Sequence, residues 1–386
     1  MRKMAIVGEW EKLTEAKRIV VKVGTSTLTD DTGSPHLGRM ANLVRQMANL
    51  RQQGREIIFV TSGAVGAGMG RLGIREKPRE ISARQALAAI GQGLLMQTYE
   101  RLFGEYGLAA AQVLLTRDDV AHRQRYLNAR TTLRQILCYG AVPIINENDT
   151  VTFDEIQLGD NDTLAALTAG LTDADLLVLL SDIDGLYTQD PRKDPAAGLI
   201  PLVGEITPAI EALAGDPGGR FGSGGMRTKI AAARIAVSQG IPMVLANGSH
   251  PDCLGFLAAA SASLPRGTLF LPTAHPLGSR KGWLAFSARG AGKLTVDDGA
   301  AAALLEKGKS LLPSGIAGTA GGFERGDVLE IESRGQIIAR GITNYSEREL
   351  LLSIGRHSGE IEGILGPGRE NEVIHRDNLC LMRGNI

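Results

Sequence analysis

Amides and carboxylates crowd the stretch from Ile144 to Asp162, between two strongly apolar segments. Its Asn146, Asn148 and Asn161 can donate to and accept from a small polar ligand, and Asp149 can accept. A solvated turn would use the same residue types, because Asn and Asp also serve turns and helix caps for local reasons. Lys22 is a second candidate. It lies at the carboxyl end of the apolar run Arg18 to Val23, where an ammonium is costly unless it reaches a partner. A third is the glycine-dense run from Gly218 to Lys229, which includes Ser223, Gly224, Gly225, Met226, Arg227 and Thr228 and leads at once into a helical pattern from about Thr228 to Gln239. Exposed backbone N–H groups, the positive end of a helix dipole and Lys229 in the first turn together suit a phosphate. The spacing is not that of a Walker A loop.

Each of these residues needs an element to hold it. Arg18 to Val23, Glu56 to Val60, Leu108 to Leu115, Val142 to Ile145 and Asp175 to Leu180 read as strands, with helical patterns over Leu37 to Gln53, Ala83 to Phe103, Asp118 to Leu137 and Thr163 to Leu171 between them. The last of these strands is almost continuously apolar, as expected for a strand buried on both faces of a parallel sheet. The predicted fold is therefore α/β, an α/β/α sandwich around a mostly parallel central sheet. Four polar patches follow strands: Lys22 to Ser26, Thr61 to Gly66 with Ser62 and Gly63, Asn146 to Asp149, and Ser181-Asp182. They converge on one edge of the sheet if the strands are parallel. The spacing of Gly68, Gly70 and Gly73 matches a dinucleotide fingerprint, but a loop through Pro78 follows instead of the short βαβ unit that motif requires.

The long helical pattern from Ala83 to Phe103 is rich in Ala, Gly and Gln, which suggests close packing against a neighbouring helix. Pro272 to Ala288 reads as a linker. Beyond it come short strands and one clear helix, Gly299 to Lys307, so a small β-rich domain is expected. The expected division is an N-terminal extension over 1–17, an α/β domain over 18–271, a linker over 272–288 and the β-rich domain over 289–386.

Two lysines, backbone anion nests and an amide-carboxylate pocket suit phosphoryl transfer, in which positioning and cationic stabilisation do most of the work. The six histidines lie outside the polar patches, so no histidine base is indicated. A carboxylate acceptor needs none, since a glutamate side chain with an ordinary pKa near ~4.3 is already ionised at neutral pH. Asp149 and the asparagines could hold the ammonium and α-carboxylate of an amino acid. Asp160 or Asp162 could orient a lysine, and Mg²⁺ would be bound through ATP phosphates, with no direct protein ligand.

Composition narrows the partners. Hydrophobic residues make up 43% and charged residues 22%, an ordinary globular balance. Lys+Arg 42 against Asp+Glu 42 leaves no global field for nucleic acid or an anionic membrane. Cys138, Cys253 and Cys380 have no metal-ligand spacing and read as thiols of a reducing compartment. No run approaches the ~20 apolar residues of a membrane span. A cytoplasmic protein is expected.

Val-Val-Lys22-Val-Gly-Thr-Ser, Val-Thr-Ser62-Gly-Ala, Ile-Asn-Glu-Asn-Asp149, Gly-Asp160-Asn161-Asp162, Ser181-Asp182 with Gly-Leu-Tyr and Asp-Pro-Arg, and Ser223-Gly-Gly-Met-Arg-Thr-Lys229 occur in an order that resembles the glutamate 5-kinases of the amino-acid kinase family. The part from about Lys293, with Thr-Val-Asp-Asp-Gly-Ala and Ser-Leu-Leu-Pro-Ser-Gly-Ile, resembles a PUA domain. The resemblance implies ATP-dependent phosphorylation of the γ-carboxylate of L-glutamate to L-glutamyl 5-phosphate, the first step of proline synthesis. It implies Lys22 and Lys229 on the transferring phosphoryl group, with Asp162 organising them. Ser62, Gly63, Asp149 and Asn161 would be on glutamate, and Lys22, Ser181, Asp182 and Ser223 to Lys229 on ATP. It also implies feedback inhibition by proline, a homo-oligomer and a downstream glutamyl phosphate reductase. Ser181 and Ser223 stand where this family often has Thr, which keeps a hydroxyl. A sister kinase acting on N-acetylglutamate, aspartate or a nucleotide would share the fold and the ATP loop. From another class, the PUA-like part suggests an RNA-binding protein, but acidic side chains slightly outnumber basic ones over 287–386, so a strong RNA footprint is not expected.

Overall fold

The computed structural model describes residues 2–29, 35–152, 161–214, 225–258, 266–356, 360 and 370–382. The chain divides into two compact units, Met1–Asp119 with Leu127–Pro276, and Val120–Tyr126 with Leu277–Ile386. Among the described residues, no helix is long and apolar enough to cross a membrane.

The first unit is built on a sheet of β1 (Arg18–Val23), β2 (Glu56–Val60), β3 (Ala110–Leu115), β4 (Val142–Glu147), β5 (Leu176–Ser181), β6 (Leu202–Val203), β7 (Met243–Asn247) and β8 (Thr268–Phe270). Their order across the sheet is β3-β4-β2-β1-β5-β7-β8-β6. All pairs from β3 to β7 are parallel, and β8 runs antiparallel to β7. The central sheet is mostly parallel, as expected. Every residue of β5 is buried, which is why its run reads as unbroken apolar sequence. The carboxyl ends of β4, β2, β1 and β5 stand side by side, so the polar residues that follow them share one edge.

The glycine-rich run after β2 is mostly helical. Only Thr61–Gly63 turns; Ala64–Leu72 is helical, with Gly63 at its N-cap in the left-handed region at φ 94°. The glycines in this helix permit a close crossing with helix Ile81–Gly104. A Cβ on Gly91 would lie 1.8 Å from Ala64 O, and one on Gly68 would lie 2.1 Å from Leu87 O. The small-residue content of the long helix therefore reflects backbone approach, as the sequence suggested.

At the N-terminus, Arg2–Lys12 is a helix that buries Trp10 edge-on against Phe256, with ring centroids 5.4 Å apart. Residues 279–286, inside the stretch expected to be a linker, also form a helix. Its Trp283 is buried, donates from Nε1 to Val120 O at 2.8 Å and packs beside the Tyr126 ring.

The second unit holds a sheet of β9 (Gly292–Val296), β10 (Ile316–Ala320), β11 (Val328–Ser333), β12 (Gln336–Ile342) and β13 (Leu379–Leu381), in the order β10-β9-β11-β12-β13. Leu294, Leu329, Ile331, Tyr345 and Val373 belong to its own apolar core. Helix Glu347–Ser353 begins with a capping box: the Ser346 hydroxyl accepts from Glu349 N, and the Glu349 carboxylate accepts from Ser346 N.

The helix crossing gives a direct test. Gly91→Ala forces a methyl group into backbone atoms that cannot swing away, a conflict expected to cost about 1–3 kcal/mol. The melting temperature of the first unit should fall by roughly 2–4 °C per kcal/mol. An unchanged thermal melt would contradict the close approach.

Candidate active site

Asp162 is 1% exposed and lies in the first turn of helix Asn161–Thr172. Its two carboxylate oxygens are shared between two ammonium groups from distant parts of the chain. Lys22, one residue from the end of β1, donates from Nζ to Oδ1. Lys229, in the first turn of helix Met226–Ser238, donates from Nζ to Oδ2 at 3.2 Å. Thr228 Oγ1 lies 3.0 Å from the same Oδ2 and 2.8 Å from Gly225 O. Both lysines are buried, so neither charge is dispersed by bulk water. Burial alone would raise the Asp162 pKa. The two ammonium groups and their hydrogen bonds outweigh it and hold the carboxyl down to about 2. The Asp162 carboxyl is therefore anionic throughout the neutral range.

A chain of amides adjoins this cluster through Asn161. Asn161 Nδ2 faces Thr61 O at 2.7 Å, Ser62 Oγ at 2.8 Å and Asn146 Oδ1 at 2.9 Å. Asn146 Oδ1 also accepts from Glu147 N at 3.0 Å, and Asn146 Nδ2 donates to Gln92 Oε1 at 2.8 Å. Thr61 Oγ1 meets the buried Tyr99 hydroxyl at 2.9 Å. These contacts tie the end of β2, the end of β4, helix Ile81–Gly104 and helix Asn161–Thr172 into one polar seam.

Asp149 stands just beyond β4. Burial raises its pKa, while Lys77 and Arg84 pull it back. Its loop is held by Gln85, whose Nε2 donates to Thr152 O at 2.9 Å. At the end of β5, Ser181 Oγ donates to Asp182 Oδ1 at 3.0 Å, with Ser181 buried and Asp182 exposed. Gly225 is the N-cap of helix Met226–Ser238, and Met226, Arg227, Thr228 and Lys229 form its first turn.

Lys22, Lys229 and Asp162 are thus brought together, and Ser62 and Asn161 are hydrogen-bonded to each other beside Gly63. Of the two aspartates open to the lysines in the sequence, Asp162 takes them; Asp160 lies outside the described residues, as do Ser223 and Gly224. Gln92 was not anticipated. Its signal is the one amide set within Ala88-Ala89-Ile90-Gly91-Gln92-Gly93, a run otherwise small or apolar. A buried cationic pair at strand ends, with an acceptor-rich pocket beside it, can hold a phosphoryl group against a polar acceptor.

The sequence pattern of the amino acid kinase family matches residues 17–247, and that of the PUA domain matches residues 292–365. Glutamate 5-kinase of Moorella thermoacetica is 52% identical over 371 residues, covering 96% of this chain and 97% of its own. That of Thermoanaerobacter sp. is 52% identical over 366 residues, covering 95% and 98%, and that of Geobacter sulfurreducens 50% identical over 371 residues, covering 96% and 99%. With the lysine-aspartate cluster at the ends of parallel strands and similarity along nearly its whole length, this chain belongs to the amino acid kinase family and carries a PUA domain.

Proposed function

We propose that the chain transfers the γ-phosphoryl group of ATP to the γ-carboxylate of L-glutamate, giving L-glutamyl 5-phosphate and ADP, the first step of proline biosynthesis. The observation that carries this reading is the single buried carboxylate, Asp162, between the ammonium groups of Lys22 and Lys229. It fixes two positive charges where a phosphoryl group in flight gathers negative charge on its equatorial oxygens. Relatedness to glutamate 5-kinases over nearly the whole chain supports the acceptor.

In this reading the γ-carboxylate oxygen forms the new bond to phosphorus as the bond to the ADP oxygen breaks. No proton moves, so no base is required. Lys22 and Lys229 neutralise the transferring group, and Asp162 holds them apart and aimed. Ser62, Gly63 and Asn161 line the amino-acid side, and Asp149 takes the substrate ammonium. Ser181, Asp182 and the run Ser223 to Lys229 hold the nucleotide. Both Asp162 oxygens are engaged by ammonium groups, so this carboxylate does not suit direct metal ligation. Mg²⁺ would be carried by the ATP phosphate oxygens, where it supplies further charge neutralisation.

The proposed domain division is an N-terminal extension over 1–17, a catalytic domain over 18–271, a connecting stretch over 272–288 and a PUA-like domain over 289–386. A cytoplasmic setting accords with Cys138, Cys253 and Cys380 all being free thiols. A homo-oligomer, inhibition by proline and hand-over of the acyl phosphate to a glutamyl phosphate reductase complete the proposal, on the strength of that relatedness.

The deciding experiment traps the acyl phosphate with hydroxylamine over a panel of carboxylate acceptors. L-glutamate should give ATP-dependent hydroxamate, with N-acetylglutamate and aspartate far behind. In the same assay Asp149→Asn should raise the glutamate KM at least about tenfold, the worth of one hydrogen bond to a charged group, and leave the ATP KM unchanged. Equal effects on both constants would remove Asp149 from the ammonium.

Lys22→Ala should lower kcat by about 10²–10³, the typical loss of one preorganised donor to the transition state, with the far-UV circular dichroism preserved. An unchanged kcat would take Lys22 out of the chemistry.

The depressed Asp162 pKa sets a stability window. Its folded value of about 2 lies below the ordinary 3.8, so the carboxylate contributes stability that is full above about pH 4 and is lost as pH falls through about 2. The contribution is on the order of 2 kcal/mol. In urea unfolding, the gap between the wild type and Asp162→Asn should be constant from pH 7 to pH 4 and shrink below that. A gap that persists undiminished at the lowest accessible pH would contradict the ion cluster.

A further inference from the structure

Gln92 is 8% exposed and belongs to a helix whose neighbouring positions are Ala, Ile and Gly. Its Oε1 accepts from Asn146 Nδ2 at 2.8 Å, while its own Nε2 is buried with no partner among the described residues. An orphaned buried donor is a cost that an apolar side chain of the same length, such as Met, would not carry. Packing alone therefore does not account for an amide here.

The direction of the neighbouring hydrogen bonds does. Two backbone groups leave no choice of orientation: Glu147 N–H can only donate, so the atom it meets is Asn146 Oδ1, and Thr61 C=O can only accept, so the atom facing it is Asn161 Nδ2. Asn146 Nδ2 is consequently turned toward helix Ile81–Gly104, where it needs an acceptor in a place closed to water, and Gln92 Oε1 supplies it. With Asn146 held, its Oδ1 accepts from Asn161, whose Nδ2 is committed inward to Asn146, Ser62 and Thr61. The Asn161 amide then presents Oδ1, an acceptor, on its remaining side.

We infer that Gln92 is a positioning residue for amino-acid selection: through Asn146 it locks Asn161 so that an acceptor oxygen, not a donor NH₂, meets the substrate, favouring an acceptor molecule that carries an ammonium. This inference rests on the amino-acid kinase reading above. The carbonyl crossing that brings helix Ile81–Gly104 within reach, with Gly91 against Ala64 and Gly68, is what lets so short a side chain touch Asn146.

The test compares L-glutamate with glutarate, the same dicarboxylate without the ammonium, for the wild type, Gln92→Met and Gln92→Glu. Gln92→Met removes one orphaned donor but leaves Asn146 Nδ2 without its acceptor, so its thermal melt should fall by no more than the loss of about one hydrogen bond. Its glutamate-over-glutarate preference in kcat/KM should fall about tenfold, as expected for loss of one well-placed hydrogen bond, with the ATP KM unchanged. Gln92→Glu keeps an acceptor oxygen at the same place and should retain the preference. A preference unaltered in Gln92→Met, equal changes in the glutamate and ATP constants, or a Gln92→Glu protein that has lost the preference would each overturn the inference. If Gln92→Met does not fold, Gln92→Leu, which also removes the acceptor, takes its place in the comparison. Should the wild type prove to phosphorylate a different amino acid, the proposed substrate fails, and the same comparison with that amino acid and its desamino analogue still judges Gln92.

Discussion

One carboxylate shared by two ammonium groups governs the first unit. Asp162, Lys22 and Lys229 come from the start of one helix, the end of a central strand and the start of another helix, and all three are buried. A buried lysine would be strongly unfavourable alone, and two of them more so. The carboxylate between them makes the arrangement tolerable. Clusters of this kind contribute little net stability compared with an apolar core, and their value lies in fixing where charge sits. The sheet order follows the same need. With β1 flanked by β2 and β5, and β4 next to β2, each polar strand end is one strand spacing from another, which side chains as short as Asn and Ser can bridge.

The amide seam depends on a second constraint, the closeness of two helices. Helix Ala64–Leu72 starts beside the amide seam, at Gly63, and crosses helix Ile81–Gly104 with backbone against backbone at Gly68 and Gly91. A Cβ at either position would push the long helix outward and withdraw Gln92 from Asn146. Core packing and site geometry are therefore one problem here. The glycines are needed in the helices for approach, whereas Gly63 is needed for its positive φ.

The second unit has its own sheet and its own apolar core. Its contents include Val120–Tyr126, a segment that follows β3 in the chain, held there by the Trp283 indole on Val120 O and by the Tyr126 ring. Such a return of the chain is invisible to any reading that cuts domains by composition, because it is made by a few side chains and not by a change in sequence character.

Much of the catalytic unit was legible in the primary structure. Buried parallel strands must be apolar on both faces, so Arg18–Val23 and Leu176–Ser181 announce themselves, and a lysine or an Asn-Asp cluster after such a run marks the edge where ligands gather. The helix from Ala64, the helix from Ser279 and the capping box at Ser346 were harder to read, since glycine, proline and serine carry turn signals even where packing makes the chain helical. The residue types of the cluster and its amide seam were set by the sequence: two lysines, an aspartate, asparagines and a glutamine. Which aspartate would take both lysines, and that an amide in the middle of a small-residue helix would complete the asparagine chain, were decided only by the tertiary structure. Hydrogen bonds between groups tens of residues apart depend on strand order and on how closely helices approach, and neither is written in local periodicity.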